Sequence, residues 1–539
     1  MGQLAAFGPP VMQRFVRLAL LACGWLALSA HVGSNNVVFE GTAGGYPLRV
    51  VITPPGVVPA QVPIMVRVLS GTPTRVSVRA AQWNLGTQGA PPPEDAAVVA
   101  GETGVWAHDL WIMTSSMYAV HVAVEGPAGN GVLVVPMQSS ATQTLGMARV
   151  MGGVLLVLGT LLVAGVLTIV GAAAREGSLP PGAQPTPVHR RKARIAMGIT
   201  GSVLALELLG GAKWWAAEEA AYRRSLFRPM ESVSTVRTVD DQRVLTLAIT
   251  DSLWHAGRYT PLMPDHRKLM HLFLVRADDA GAIAHLHPLR THPDSFTTRV
   301  PSLPVGRYLL FADILFQSGA QRTLVDTVDI PVEPVVAGTQ ATEAAGSASV
   351  QRMPVLDPDD AWRVVPATAF GGSGTLAGGG AMTLTADTSI VAGQDLRMIA
   401  TVRNADGSAA VLEPYMGMDG HAMVMRLDGQ VFVHLHPMGT ASMAAQAQLI
   451  RRERGDTTRV DSALAVTESV SPAPIPEAAG VHGAHDAAAG TGSRGDLAFP
   501  FAFPSAGEYR VFVQVKRAGA VETAAFRIVV PAAASNRRS

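Results

Sequence analysis

Cysteine is almost absent. The 539 residues contain one, Cys23, inside an N-terminal apolar run. No disulfide and no thiolate metal site can be built downstream of it. Any metal must be held by His, Met, Asp or Glu. Charge is also scarce, at 15% of residues against 48% hydrophobic, which points to a membrane component. The 42 basic and 41 acidic residues nearly cancel, leaving +1. That balance gives no reason to expect nucleic acid as a partner. The length suffices for several domains with cores of their own.

The apolar excess is concentrated. Residues 1–30 read as a signal peptide: Arg14 and Arg17 precede the run Leu18 to Leu28, and Leu28-Ser29-Ala30 ends in a small residue. An uncleaved anchor, or lipidation at Cys23, are the alternatives. Residues 150–174 contain no charge and are long enough for a transmembrane helix. A second transmembrane helix is expected at 195–215, ending in the interfacial Lys213-Trp214-Trp215. The loop 175–194 carries Arg175, Arg190, Arg191, Lys192 and Arg194 against Glu176 alone. The positive-inside rule makes it cytoplasmic. Both large flanks then face the periplasm or cell exterior from a bacterial inner membrane. Glu207, inside the second span, reads as protonated and bonded to the first span at the backbone or Thr168.

The flanks read as all-β. Residues 34–140 hold about seven short strands between Pro/Gly turns, the spacing of an immunoglobulin-like sandwich. His108 and His121 are isolated there and read as ordinary sandwich residues. Residues 232–334 and 380–531 are two further sandwiches, joined by an Ala/Gly/Ser/Pro-rich linker at 335–379. The last is interrupted by a flexible insert at 444–497. The insert starts helically, from Ser442 to Arg454, and ends in a low-complexity tract with His482 and His485. The expected architecture is three immunoglobulin-like β-sandwich domains, two transmembrane helices and a signal peptide.

The later two sandwiches carry copies of one unit. Lys268-Leu269-Met270-His271-Leu272-Phe273-Leu274-Val275 leads to His285-Leu286-His287-Pro288. Asp419-Gly420-His421-Ala422-Met423-Val424-Met425 leads to His434-Leu435-His436-Pro437. Each copy is followed by a Gly-x-Tyr strand, at Gly306 and at Gly507. In the second copy Asp428-Gly429 is a two-residue hairpin turn. Its register sets His421 opposite His436 and Met423 opposite His434, all on one face. Opposed Cβ atoms lie about 5 Å apart, so imidazoles there can converge on one ion. The first copy is one residue longer; a bulge at Gly281 would keep His271, His285 and His287 on one face.

The segments before each hairpin differ. His266 and Lys268 of the first copy align with Met416 and Met418 of the second. This predicts two adjacent sites, one nitrogen-rich with Asp265 and His266, one sulfur-rich with Met416, Met418, Met423 and Met425. Imidazole suits Cu(II) and Zn(II), while thioether selects Cu(I). Copper is the expected ion and zinc the second choice. The competing reading is structural: sandwich modules whose histidines are buried and hydrogen-bonded in a core. A three-His site could also activate water, but Asp265 is the only nearby base, so a binding protein is expected rather than an enzyme.

The Met-His-Leu-Phe-Leu-Val and His-Leu-His-Pro blocks, with Gly306-Arg307-Tyr308, resemble the YtkA-like group of secreted bacterial β-sandwich domains. They are similar in style to periplasmic copper carriers of the CopC and PCuAC kinds, from which the paired His-x-His hairpins depart. The resemblance covers roughly 243–334 and 395–531. It implies extracytoplasmic copper handling, with a metal role for His271, His285, His287, His421, His434 and His436. The partners expected are a metal ion, the lipid bilayer and a copper-receiving extracytoplasmic or membrane protein.

Overall fold

Three tyrosines close three sandwiches in the same way. The hydroxyl of Tyr118 donates to the Thr114 carbonyl at 3.2 Å, Tyr308 to Pro304 at 2.9 Å, and Tyr509 to Ser505 at 2.8 Å. Each bond reaches back four residues, the tyrosine corner of immunoglobulin-like sandwiches. The computed structural model describes residues 36–180, 182–332, 356–456 and 495–533. The expected signal peptide, Cys23, His482 and His485 lie outside these residues.

The chain divides into two units, one holding the sandwiches and one made of residues 56–58 and 140–227. In the first sandwich a five-stranded sheet (Val37–Ala43, Tyr46–Ile52, Ala60–Val68, Val105–Ile112, Ala97–Val98) faces a four-stranded one (Glu94–Asp95, Arg75–Gln82, Met117–Glu125, Gly131–Gln138). Alternate residues such as Leu48, Val50, Ile52, Val76, Val78, Val120 and Val122 fill the space between them. The second sandwich sets the sheet containing His271–Arg276, Ala282–Leu286 and Gly306–Phe316 against the strands Ser232–Val239, Gln242–Ile249, Ser295–Arg299 and Leu289–His292. The third repeats this, with Gly420–Arg426, Phe432–Leu435 and Gly507–Arg517 on its corresponding sheet.

Residues 356–379, expected within a linker, are built into both sandwiches. Ala361–Val364 pairs antiparallel with Ala282–His285 of the second. Thr368–Ala369 runs parallel to Phe526–Arg527 of the third. Composition misled here because the small residues around it mask Ala361-Trp362-Arg363-Val364, whose Trp and Val suit a strand. The start of the insert is the helix Met443–Glu453, whose Ser442 hydroxyl caps Ala445 N–H.

A buried ion-pair network ties the first sandwich to the third. Arg49, 4% exposed, contacts Glu40 at 2.7 Å and Asp395 at 3.1 Å. Arg397 in turn holds Glu40 at 2.6 Å. Arg49→Met strands the buried carboxylate of Asp395 and the partly buried one of Glu40, a loss of roughly 3–5 kcal/mol when no other partner exists. Arg397 and Arg67, the latter 3.5 Å from Asp395, compensate partly. The expected cost is therefore about 3 kcal/mol, read as a shift in denaturant midpoint.

The other unit contains Arg149–Glu176 and Pro187–Ser225, both long and apolar enough to cross a membrane. Pro187 at the first turn and the Thr186 cap start the second helix. It does not end near residue 215 as expected. Ala216 to Tyr222 contains only helix-compatible residues, and Glu219 pairs with Arg223 at 2.6 Å. Glu207 is exposed on this helix. The Thr168 hydroxyl bonds the Gly165 carbonyl instead.

Candidate metal centre

The histidine face of each hairpin is not the sandwich interior. Alternation sends Leu272, Leu274, Ala284 and Leu286 into the core of the second sandwich, and Ala422, Val424, Val433 and Leu435 into that of the third. The opposite faces carry the histidines together with Phe273, Val275, Ile283, Met423, Met425 and Phe432, which form one shared apolar cluster. The two sheets pack on each other through these faces, with Phe273 and Phe432 5.1 Å apart. The two adjacent sites expected from the sequence therefore meet in one nest at a sheet-to-sheet interface. Each outer face is too apolar to be left in water, and each buries the other.

The registers set the histidines side by side. Met423 faces His434, and the next pair in line is His421 with His436, whose rings are 5.4 Å apart. In the first copy Phe273 faces His285, and the rings of His271 and His287 are 5.1 Å apart. The extra residue of that hairpin is accommodated at Ala280, with φ of 50°, rather than at Gly281.

His266 is placed by a tight turn. Asp265 and Lys268 exchange backbone hydrogen bonds, and His266 and Arg267 between them have φ of 48° and 68°. Tyr415 and Met418 form the same turn around Met416 and Gly417. Non-glycine residues adopt positive φ uncommonly, histidine more readily than most. His266 does not join the first-copy histidines as expected. It stands with His421 and His436, their donor atoms all within 4.8 Å of one another. His271, His285 and His287 form a second such group. Met423 lies in the apolar wall, and Met416 and Met418 are half-buried at their turn. Among the described residues no imidazole is hydrogen-bonded to a methionine sulfur.

Residues outside the recognised motifs orient the rings, crosswise between the sandwiches. Gln514 of the third accepts from His285 Nδ1 at 3.0 Å and donates to Thr523. Asp313, at the matching position of the second, lies 3.8 Å from His434 Nδ1 and is held by Thr323. Both interrupt apolar Gly-x-Tyr strands, a signal present in the sequence. Asp360 bonds His287 twice, at the backbone and at Nδ1 (2.9 Å); it lay in the supposed linker. Carboxylate and carbonyl acceptors behind imidazoles are the usual support of metal-binding histidines.

His271 Nε2 donates to the Asp265 carbonyl at 3.2 Å, which uses its one proton if the ring is neutral. His285 spends its proton on Gln514, since the Tyr415 proton is committed to the Asp359 carbonyl. His271 Nδ1 and His285 Nε2 then face each other as lone pairs, 3.2 Å apart. A cation between them resolves the repulsion. Two nitrogens bound tetrahedrally at about 2.0–2.1 Å stand about 3.3 Å apart.

A proton is a poor candidate for that cation. Burial, then the neighbouring rings, holds His271, His285, His421 and His434 well below the ordinary imidazole value. Burial, then His266, pushes His436 down to about 3. Burial pushes the Asp313 carboxyl up to about 7, against the Thr323 hydroxyl. Among the described residues seven buried imidazole nitrogens, on His266, His287, His421, His434 and His436, have no hydrogen-bond partner, though His266 Nε2 stands 3.5 Å from Asp265 Oδ1. At 1–3 kcal/mol each, they cost about 7 kcal/mol at least, comparable to a domain's whole net stability.

The first sandwich braces this nest. Its strand Val37–Ala43 bonds the turn after His436, Glu40 N–H to the Met438 carbonyl and Thr440 N–H to the Val38 carbonyl. A Cβ on Gly439 would lie 1.9 Å from the Val38 oxygen, and its φ is 124°. Gly439→Ala is expected to cost about 2 kcal/mol and to displace His436, checked by denaturant melts and metal retention. His108 and His121 stay outside the nest, bonded to Glu94 and Glu453 at 2.9 Å each.

A family model described as a domain of unknown function (DUF8832) matches residues 375–460 and 476–532, ranges that include the strands of the third sandwich from the last residue of Ser373–Thr375 onward. No curated protein matches the chain. Among solved structures, the chain is similar to the FN1–FN3 domains of chicken CNTN1, at 6% identity and a TM-score of 0.13, over 91% of this chain and 99% of that one. It is similar also to dimeric latent PorU from Porphyromonas gingivalis, at 8% identity and a TM-score of 0.14, over 93% of this chain and 34% of that one. At such scores nothing about function follows from the likeness.

Proposed function

We propose that the protein is a membrane-anchored extracytoplasmic copper-binding protein that acts in copper delivery or tolerance. The observation that carries this reading is the set of buried imidazole nitrogens without partners, backed by oriented acceptors. A purely structural role would leave those nitrogens hydrogen-bonded, as His108 Nε2 is to Glu94. The donors are imidazoles, which suit copper and zinc alike; copper is preferred and zinc is second. The two apolar helices supply the anchor, and the basic loop between them favours the orientation with the sandwiches outside. Since the nest is closed to solvent, handing an ion to a receiving protein requires the two sandwiches to part.

The test is metal analysis of the full chain purified in detergent, after loading with copper and zinc separately and washing with a chelator. Copper is expected to remain, and to fall by 10–100-fold in affinity in Asp360→Asn, which frees the His287 ring. Retention of neither metal would overturn the reading. Retention of zinc alone would replace copper in it.

A further inference from the structure

We infer that the nest is a two-ion site, one ion on His271, His285 and His287 and the other on His266, His421 and His436. This rests on the metal-binding reading and goes beyond it in number and arrangement. The seven rings do not converge on one point. Six of them form two triangles of donors, each within 4.8 Å internally and sharing no residue with the other; a third group, His287 with Asp357 and Asp360, shares His287 with the first and supplies its carboxylate support. Copper and zinc take about four such ligands, so one ion would leave three or more buried rings unused. Partnerless nitrogens occur in both triangles: His287 Nε2 in the first, and His266 Nε2 with both nitrogens of His421 and His436 in the second. Filling only one triangle leaves the other uncompensated.

His434 belongs to neither triangle but lies between them. Its ring is 4.6 Å from His436 and 5.3 Å from His421. It is 5.1 Å from His271 and 5.4 Å from His285. Its Nε2 has no partner, which makes it the fourth donor for either ion. The triangles differ in origin. The first is drawn wholly from the second sandwich, while the second joins His266 of that sandwich to His421 and His436 of the third. The second ion therefore clamps the interface, and the first does not. The class of ligand is a pair of copper ions close enough to interact through the shared wall of rings.

The experiment is a Cu(II) titration of the full chain in detergent, with bound copper measured alongside the electron paramagnetic resonance spectrum. Two ions per chain are expected, with the spectrum broadened at the second equivalent because adjacent Cu(II) spins interact through space. His287→Gln and His436→Gln should each keep one ion, and that ion should show an unbroadened spectrum. Circular dichroism of each variant confirms the fold. One ion in the parent protein, lost in both variants, would overturn the two-ion site and leave the metal-binding reading standing. Two ions whose spectrum is the plain sum of the two single-ion variants' spectra would place them apart and also overturn it. No bound ion would overturn both.

Discussion

Lowering the pH of the metal-free protein from 7 to 5.5 is expected to part the two histidine-bearing sandwiches. His271, His285, His421, His434 and His436 are all depressed in the folded state. The unfolded or opened chain, with imidazoles near 6.5, then binds more protons. The stability these rings contribute is complete above about pH 6.5 and is lost as the pH falls below it. At pH 5.5 each costs about 1.4 kcal/mol, and five cost about 7 kcal/mol. Asp313 works the other way. Its folded value is raised from 3.8 to about 7, so its unfavourable contribution fades as it is protonated. That returns about 2 kcal/mol over the same range. The net loss, about 5 kcal/mol, matches the stability of a small domain. Hydrogen exchange should show His271–Arg276 and Gly420–Arg426 losing protection by pH 5.5, with bound metal delaying the change. Equal protection at the two pH values would contradict the proposed burial of neutral rings.

Replacing His421 and His436 together by leucine is expected to stabilise the metal-free protein. All four of their ring nitrogens are buried without partners. Removing them relieves about 1 kcal/mol each at the low end, hence on the order of 4 kcal/mol together, with some non-additivity because the rings touch. Leucine is close to histidine in volume and suits the surrounding apolar cluster. The same variant should lose the ion held by that triangle. Stability rising while binding falls is the signature of residues kept for a ligand. A drop in metal-free stability would mean these rings support the fold itself, and the structural reading would then be preferred.

Much of this was legible in the residues, and the failures have definite causes. The His-x-His pairs, the alternation that put them on one face and the Asp428-Gly429 turn led to the pairing of Met423 with His434 that the structure contains. The tyrosine corners were implicit in the Gly-x-Tyr spacing. What local pattern could not reveal was which side of the sheet the histidine face would meet. Alternation distinguishes two faces but does not name their neighbours. Two apolar outer faces in tandem domains permit a docked pair, and that docking moved His266 into the other copy's group. Asp357, Asp359 and Asp360 were passed over because an Ala/Gly-rich context suggested coil. Yet Lys268 contacts Asp357 at 2.6 Å, and Asp360 fixes His287. The methionines aligned well with a soft site on paper, but strand packing gave Met423 to the apolar wall.

The short segment shared between the two sandwiches has a kinetic consequence. Val364 closes a pairing in one sheet and Thr368 opens a pairing in the other. Four peptide steps separate them, a reach of about 14 Å at full extension. The halves of the nest therefore see each other at an effective concentration of millimolar or more. Opening is hinge-like, and reclosure is a first-order event that does not depend on protein concentration. Under the proposed delivery function, a nest that has given up its ion would reassemble on its own chain.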